Sequence, residues 1–219
     1  MRIISGKYKG RRISAPSNIT ARPTTDFAKE GLFNLLNNRI DFEDIDVLDL
    51  FAGTGSISIE FVSRDCKGVI SIEQNERHCN FIRKVCTDLK IDNLSLLKTD
   101  VFKYIESCHT QFDMIFADPP YELEKLAGIP DLIFGHNLLK SDGLFVLEHS
   151  SKDSFENHPN FVDHRNYGNV NFSFFEVKQS AYIAKQKQGE YQIDTLPVSV
   201  SSVIIVFSAQ TLYGPEYKA

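Results

Sequence analysis

The hydrophobic positions of the chain follow two different spacings in turn from residue 45 onward. Short apolar runs, typical of strands buried on both faces, recur at 45–51, 68–73, 94–98, 112–117 and 143–149. Apolar residues at helical spacing lie between and after them at 56–64, 75–89, 101–107 and 123–139, the last interrupted near Pro130. Strands that alternate with helices predict a parallel sheet with right-handed crossovers.

Two further apolar segments, 161–167 and 171–177, are separated only by the turn residues Gly168 and Asn169. So tight a connection requires antiparallel pairing. The prediction is therefore an α/β protein of the Rossmann-like class, with a seven-stranded, mostly parallel sheet that ends in an antiparallel hairpin.

The first residues follow a different pattern. Ile3, Ile4 and Ile13 flank a turn between Gly6 and Gly10, which predicts a small N-terminal β-hairpin. A proline-containing loop follows, and Thr25 or Asp26 is suited to cap a helix over 27–36. We divide the chain into a basic N-terminal extension (1–25), a main domain (26–178) and a tail (179–219) whose role the sequence does not indicate.

Composition is that of a globular protein, with 42% apolar and 24% charged residues. No apolar run reaches the ~20 residues of a membrane span, and the N-terminus does not resemble a secretory signal. We therefore expect a cytoplasmic protein, most simply a monomer. The four cysteines form no C-x-x-C pair, so reduced thiols and no metal site are expected.

Charge is unevenly distributed along the chain, whose net charge is −5. Residues 1–25 contain no acidic residue and six basic ones, Arg2, Lys7, Lys9, Arg11, Arg12 and Arg22. The charge of the remaining residues therefore sums to −11. A basic segment on an acidic body favours a local RNA-binding element that contacts phosphates. A solvated hairpin whose charges only maintain solubility is equally compatible with the charge pattern.

A glycine-containing turn follows the first strand, in the sequence from Asp49 to Gly55. Glycines allow the backbone to bend tightly and approach a ligand, and Glu73, 18 residues after Gly55, is placed to bind ribose hydroxyls. The pattern fits NAD or S-adenosylmethionine (SAM). Ser58 in place of a third glycine, and the carboxylate of Asp49 beside the turn, favour SAM, because a carboxylate repels pyrophosphate and attracts ammonium and sulfonium groups.

The motif Asp118-Pro119-Pro120-Tyr121 follows the fourth strand, at the sheet edge where ligands of such folds bind. The Asp118 carboxylate and the Pro119 carbonyl are adjacent acceptors that suit an exocyclic amine with two N–H groups. Tyr121 can stack on the nucleic-acid base that carries this amine. Asp100, after the third strand, can accept a hydrogen bond from adenine, cap the next helix, or do both with different atoms.

The chain resembles bacterial small-subunit ribosomal RNA guanine-N2 methyltransferases of the RsmD type. The resemblance rests on RIISGKYKGRR, ARPTTDFAKEGLFNLL, VLDLFAGTGSISIEFVSR, Glu73, FDMIFADPPY and LFVLEHS, within residues 1–178. It implies a class I methyltransferase fold, a grip on RNA by the N-terminal hairpin, and a target guanine held by residues 118–121. It also implies SAM contacts from Asp49, Phe51, Ala52, Gly53, Gly55, Glu73, Asp100 and Val101. Phe27 departs from the family, which usually has arginine there.

The expected substrate is thus guanine N2 in small-subunit rRNA, in the subunit or an assembly intermediate. Three alternatives remain open. An amino-methyltransferase acting on adenine N6 would share the core. A glutamine methyltransferase would usually have Asn in place of Asp118. A non-catalytic RNA-binding protein that holds SAM is disfavoured by the intact motif at 118–121.

Overall fold

A computed structural model describes residues 1–16 and 25–178. Predictions for Arg22 and for the tail at 179–219 lie outside this part of the chain. The described strands are β1 (Asp46–Asp49), β2 (Gly68–Glu73), β3 (Leu94–Lys98), β4 (Phe112–Ala117), β5 (Leu139–His149), β6 (Phe161–Tyr167) and β7 (Val170–Glu176). The α-helices are α1 (Asp26–Leu36), α2 (Ser56–Ser63), α3 (Glu76–Leu89), α4 (Val101–Ser107) and α5 (Ile129–Gly135), with a 3₁₀ turn at Leu126–Gly128.

The strands form one seven-stranded sheet in the order β3-β2-β1-β4-β5-β7-β6. All pairs from β3 to β5 are parallel, and β7 pairs antiparallel with both β5 and β6. The predicted fold class is therefore confirmed. The strand order reverses direction between β1 and β4, and ligands of open α/β sheets bind at the carboxyl ends of strands on either side of such a point.

Side chains that alternate along the central strands supply two cores, one on each face of the sheet. In β1, Val47 packs on the side that also buries Leu32 and Phe61, whereas Leu48 packs on the opposite side with Ile105 and Ile133. This two-sided burial explains why the central strands read as continuous apolar runs. No helix in the described ranges is long and apolar enough to cross a membrane.

The N-terminal hairpin forms only one isolated antiparallel bridge, between Arg2 and Arg12, rather than two regular strands. Four backbone hydrogen bonds still close the hairpin, two between Met1 and Ile13 and one each from Ile3 N to Arg11 O and from Gly10 N to Ile3 O. The backbone N–H groups of Ile4 and Ser5 donate instead to the Glu60 carboxylate of α2, at 2.8 and 3.0 Å. The segment is therefore held both by its own bonds and by α2.

Two local expectations are corrected. Pro130 does not interrupt a long helix; it lies in the first turn of α5, where a missing N–H costs nothing, and β5 begins four residues earlier than predicted, at Leu139. Phe27, in the first turn of α1, is 69% exposed. The predicted cap of this helix is confirmed, because Thr25 accepts a hydrogen bond from the Ala28 amide at 3.1 Å.

Candidate active site

A cavity of about 600 Å³ opens at the carboxyl ends of the central strands. Its lining includes Phe51, Gly53, Glu73, Asp100 and Val101 of the predicted cofactor site. It also includes the whole predicted catalytic motif: Asp118, Pro119, Pro120 and Tyr121. Segments that are far apart in sequence thus meet around one space, because parallel strands end at the same sheet edge.

The glycine turn places backbone at the wall of this cavity. Gly53 and Gly55 have φ angles of +54° and +75°, a region that residues with a Cβ rarely adopt. Gly55 also packs closely on α3, since a Cβ there would lie 3.0 Å from Ile82 Cγ1. The chain can therefore turn from β1 into α2 while keeping Gly53 at the cavity surface.

Glu73 connects the glycine turn to the start of α3. Its Oε2 accepts from the Gly53 amide at 2.8 Å, and its Oε1 accepts from the Asn75 amide at 2.7 Å. His78 Nδ1 lies 3.5 Å from Oε2. These contacts fix the carboxylate in one orientation, and the remaining lone pairs are suited to accept the two hydroxyls of a ribose.

Asp100 caps α4 with one oxygen only. Its Oδ1 accepts from the amides of Phe102 and Lys103 at 3.0 and 3.1 Å, and neither bond uses Oδ2. The residue lines the cavity, so an adenine amino group at this wall would meet an oriented acceptor. Cap and ligand contact can thus be divided between the two oxygens.

Asp49, Ala52 and Gly55 were predicted to bind the cofactor but lie behind the cavity wall rather than on it. Asp49 is 1% exposed and accepts a hydrogen bond from Ser58 Oγ at 2.5 Å. Its Oδ1 has no hydrogen-bond partner among the described residues. Burial raises the pKa of Asp49 to about 6, and the nearby Glu73 carboxylate adds to this effect. A cationic cofactor in the cavity fits this environment, because it would favour the ionised carboxylate.

The proline motif after β4 presents a bare carbonyl. The Leu123 amide donates to Pro120 O at 2.9 Å, which closes the turn after the motif. In the described chain, no backbone amide donates to Pro119 O. The Pro119 carbonyl next to Asp118 therefore has the acceptor capacity that the proposed amine requires.

Glu148 is a site residue that the sequence interpretation missed. It lies at the end of β5, is 3% exposed and lines the same cavity. Tyr121 Oη donates to Glu148 Oε1 at 3.3 Å, which orients the tyrosine ring. The available signal was an acidic residue ending an apolar strand beside β4, but only the pairing of β4 with β5 brings it to Tyr121. Thr25, Gln74, His78 and Phe102 were also missed as lining residues.

Comparison with known proteins agrees with this geometry. Residues 1–176 match the family described as Conserved hypothetical protein 95. The chain belongs to this family. Its relatives include Ribosomal RNA small subunit methyltransferase D of Buchnera aphidicola, 32% identical over 148 residues that cover 68% of this chain and 75% of the relative. The protein of that name from Escherichia coli strain K12 is 28% identical over 199 residues, 89% of this chain and 94% of the relative.

A solved structure from Escherichia coli, described as a candidate methyltransferase, superposes with a TM-score of 0.71 at 26% identity. The match covers 81% of this chain and 99% of that one. The chain is thus a methyltransferase with the class I fold, as the sequence motifs predicted.

The basic residues of this family member are not all equally available to RNA. Arg2 lies 3.5 Å from Glu30, and Lys7 lies 3.0 Å from Asp65. Lys9, Arg11 and Arg12 form no ion pair with the described residues, and Arg11 and Arg12 line a groove of about 610 Å³ against the later turns of α3. Within residues 1–16, the unpaired positive charge is therefore concentrated at residues 9–12.

The raised pKa of Asp49 predicts a pH-dependent cofactor affinity. Below about pH 6 the carboxyl is protonated and contributes no attraction for a cation, so SAM should bind severalfold more tightly at pH 7.5 than at pH 5. S-adenosylhomocysteine lacks the sulfonium charge and should show a weaker dependence. Calorimetry with both ligands measures the difference, and Asp49→Asn should remove it. Equal pH profiles for the two ligands in the wild-type protein would contradict the prediction.

Proposed function

We propose that this enzyme methylates the exocyclic N2 amine of a guanine in small-subunit ribosomal RNA. S-adenosylmethionine is the methyl donor. The observation that carries the proposal is the single cavity in which Asp118–Tyr121 face Gly53, Glu73 and Asp100. The names of the relatives, which specify small-subunit rRNA, supply the substrate class.

Glu73 and Asp100 would hold the adenosine part of the cofactor, and the backbone at Phe51 and Gly53 would approach its amino-acid part. Bound in this way, SAM supplies an electrophilic methyl group on a positively charged sulfur. Ala52 and Gly55 would act through the shape of the turn, and Val101 through apolar contact with the adenine. Asp49 would act through its charge from behind the turn.

Asp118 and the Pro119 carbonyl would each accept one N–H of the guanine amine. That amine normally shares its lone pair with the ring and is a poor nucleophile. Two fixed acceptors favour a pyramidal nitrogen whose lone pair would form the new N–C bond as the S–C bond of the methyl donor breaks and S-adenosylhomocysteine leaves. The excess proton then passes to Asp118 or solvent, while Pro120 keeps the loop rigid and Tyr121 stacks on the base.

The test is incubation of the protein with methyl-labelled SAM and either free rRNA or small ribosomal subunits, followed by digestion to nucleosides. Label in N2-methylguanosine supports the proposal. Label in N6-methyladenosine, or in protein, would instead identify one of the alternative amino-methyltransferases. Cofactor binding without any transfer would favour the non-catalytic alternative.

The form of the substrate and the state of the enzyme are part of the same proposal. We propose that the subunit or its assembly intermediate is methylated, by a monomer that needs no metal, in the cytoplasm. Comparison of free rRNA with subunits, transfer in the presence of EDTA, and sedimentation of the protein test the first three statements. Fractionation of cells tests the last.

The proposed RNA grip predicts a salt-dependent phenotype. Charge reversal by Arg11→Glu with Arg12→Glu should weaken RNA binding and reduce the slope of log K against log salt by roughly one to two. The control is Lys152→Glu with Lys178→Glu, which changes the net charge equally at two exposed lysines that form no ion pair with the described residues. Filter binding at several salt concentrations measures both slopes. An unchanged slope in the arginine variant would indicate that these residues only keep the hairpin soluble and do not contact RNA.

A further inference from the structure

Phe27 is an apolar side chain that folding leaves in solvent. It is 69% exposed, more than the other exposed large apolar residues of the described chain, Leu97 at 40% and Val162 at 41%. Isolated exposed apolar residues are common and need no function. The position of Phe27 beside the cavity and its aromatic neighbour distinguish it.

Two independent connections place Phe27 at the rim of the active-site cavity. Thr25, two residues before it, lines the cavity. The ring of Phe27 also contacts the ring of Tyr167, with centroids 5.8 Å apart and planes at 76°. Tyr167 pairs in the sheet with Val170, and Val170 lines the cavity as well. Both rings therefore belong to residues next to the cavity lining, Phe27 two residues after Thr25 and Tyr167 paired with Val170.

The position of Tyr167 is built into helix α1. A Cβ on Gly31 would lie 2.2 Å from Tyr167 Cε1, so the ring occupies the space that a side chain at this helical position would fill. On its other side the ring contacts Phe172, with centroids 6.0 Å apart. Tyr167 is thereby fixed, and it meets Phe27 in an edge-to-face contact while most of the Phe27 side chain stays exposed.

The ion-paired groups near this pair are balanced in charge. Arg39 and Arg165 share Asp163, on the strand that ends at Tyr167. Arg2 lies 3.9 Å from Asp26 and 3.5 Å from Glu30, on the helix that carries Phe27. Any affinity of this place for RNA would therefore come from the aromatic ring rather than from charge.

We propose that Phe27, supported by Tyr167, is a stacking platform for an unpaired RNA base adjacent to the target guanine. The proposal rests on the proposed function. A guanine amine that reaches Asp118 must leave its stack, and its neighbour then loses a stacking partner. An exposed aromatic ring beside the cavity can replace that partner without regard to base identity.

The chain contains no tryptophan, so Phe27→Trp introduces a single tryptophan at the platform, which red-edge excitation selects over the eight tyrosines. Titration with the RNA form that the wild-type enzyme methylates, in the presence of S-adenosylhomocysteine, should quench this tryptophan saturably. Leu97→Trp is the matched control, because it places an exposed tryptophan on β3, at the opposite edge of the sheet from β6. Its fluorescence should change little. Equal quenching in the two variants, or none in Phe27→Trp, would overturn the platform.

Kinetics provide a second measurement. Phe27→Ala should raise KM for RNA on the order of tenfold, with KM for SAM and the unfolding midpoint unchanged. Phe27→Tyr should retain the wild-type KM, since it keeps the ring. An unchanged KM for RNA in Phe27→Ala would overturn the platform while the guanine assignment stands. Absence of RNA methylation by the wild-type enzyme would overturn both.

Discussion

Asp118→Ala should lower the rate of methyl transfer by about 10²- to 10⁴-fold, the range expected when a group that contacts the reacting atoms is lost. The reason is that Asp118 supplies one of the two acceptors for the amine, and alanine cannot replace it. Binding of SAM should persist, because Glu73, Asp100 and the glycine turn are unchanged. Single-turnover transfer to RNA and calorimetry with SAM measure the two effects separately.

Two companion variants sharpen this experiment. Asp118→Asn keeps one acceptor oxygen without the charge and should retain intermediate activity. Asp142→Ala removes an exposed carboxylate near the start of β5, away from the cavity edge, and should behave like wild type. Near wild-type transfer by Asp118→Ala would refute the proposed role of this residue. Loss of SAM binding together with transfer would instead indicate damage to the fold of the site.

Glu60→Ala should lower the free energy of unfolding by about 3–5 kcal/mol, the range for breaking a buried ion pair. Glu60 is fully buried, and its partner Lys29 is 1% exposed, with Nζ 3.7 Å from Glu60 Oε2. The carboxylate also accepts from the Ile4 and Ser5 amides and from Arg64 Nε. Alanine removes all of these acceptors and leaves the ammonium of Lys29 without its counter-charge.

The pH dependence identifies the mechanism of this loss. Burial lowers the pKa of Lys29 in the folded protein, and removal of Glu60 should lower it further. When a folded-state pKa lies below the unfolded value, stability rises with pH between the two values. The deficit of Glu60→Ala should therefore shrink as the pH rises from neutral towards the ordinary pKa of lysine. Urea unfolding at several pH values measures it, with the exposed Glu43→Ala as control. A deficit below 1 kcal/mol, or one that grows with pH, would argue against a buried ion pair.

Secondary structure was the most predictable level of this protein. The bounds of β2, β3, β4 and α4 coincide with the sequence prediction. Their signals are local, because a two-sided apolar run, a capping residue or a turn pair acts within a few residues. Weaker local signals produced the errors at Pro130 and at the start of β5.

The candidate site was partly predictable for the same reason. Gly53, Glu73, Asp100 and Asp118 each follow a strand, and strands of a parallel sheet end at one edge, so topology alone brings them together. Glu148 was missed because its meaning depends on the strand beside it. Burial of Asp49 could not be predicted either, since it depends on how α2 packs over β1.

The sequence by itself determined the class of fold, the edge that bears the site, and the chemistry available there. Periodicity and turn residues are properties of neighbouring positions, and they suffice for that. Only the tertiary structure decided which charges are buried, which aromatic rings face solvent, and which basic residues stay unpaired. The ion pair of Lys29 with Glu60, and the exposure of Phe27 beside Tyr167, join residues distant in the chain, so their energies depend on packing that no local pattern encodes.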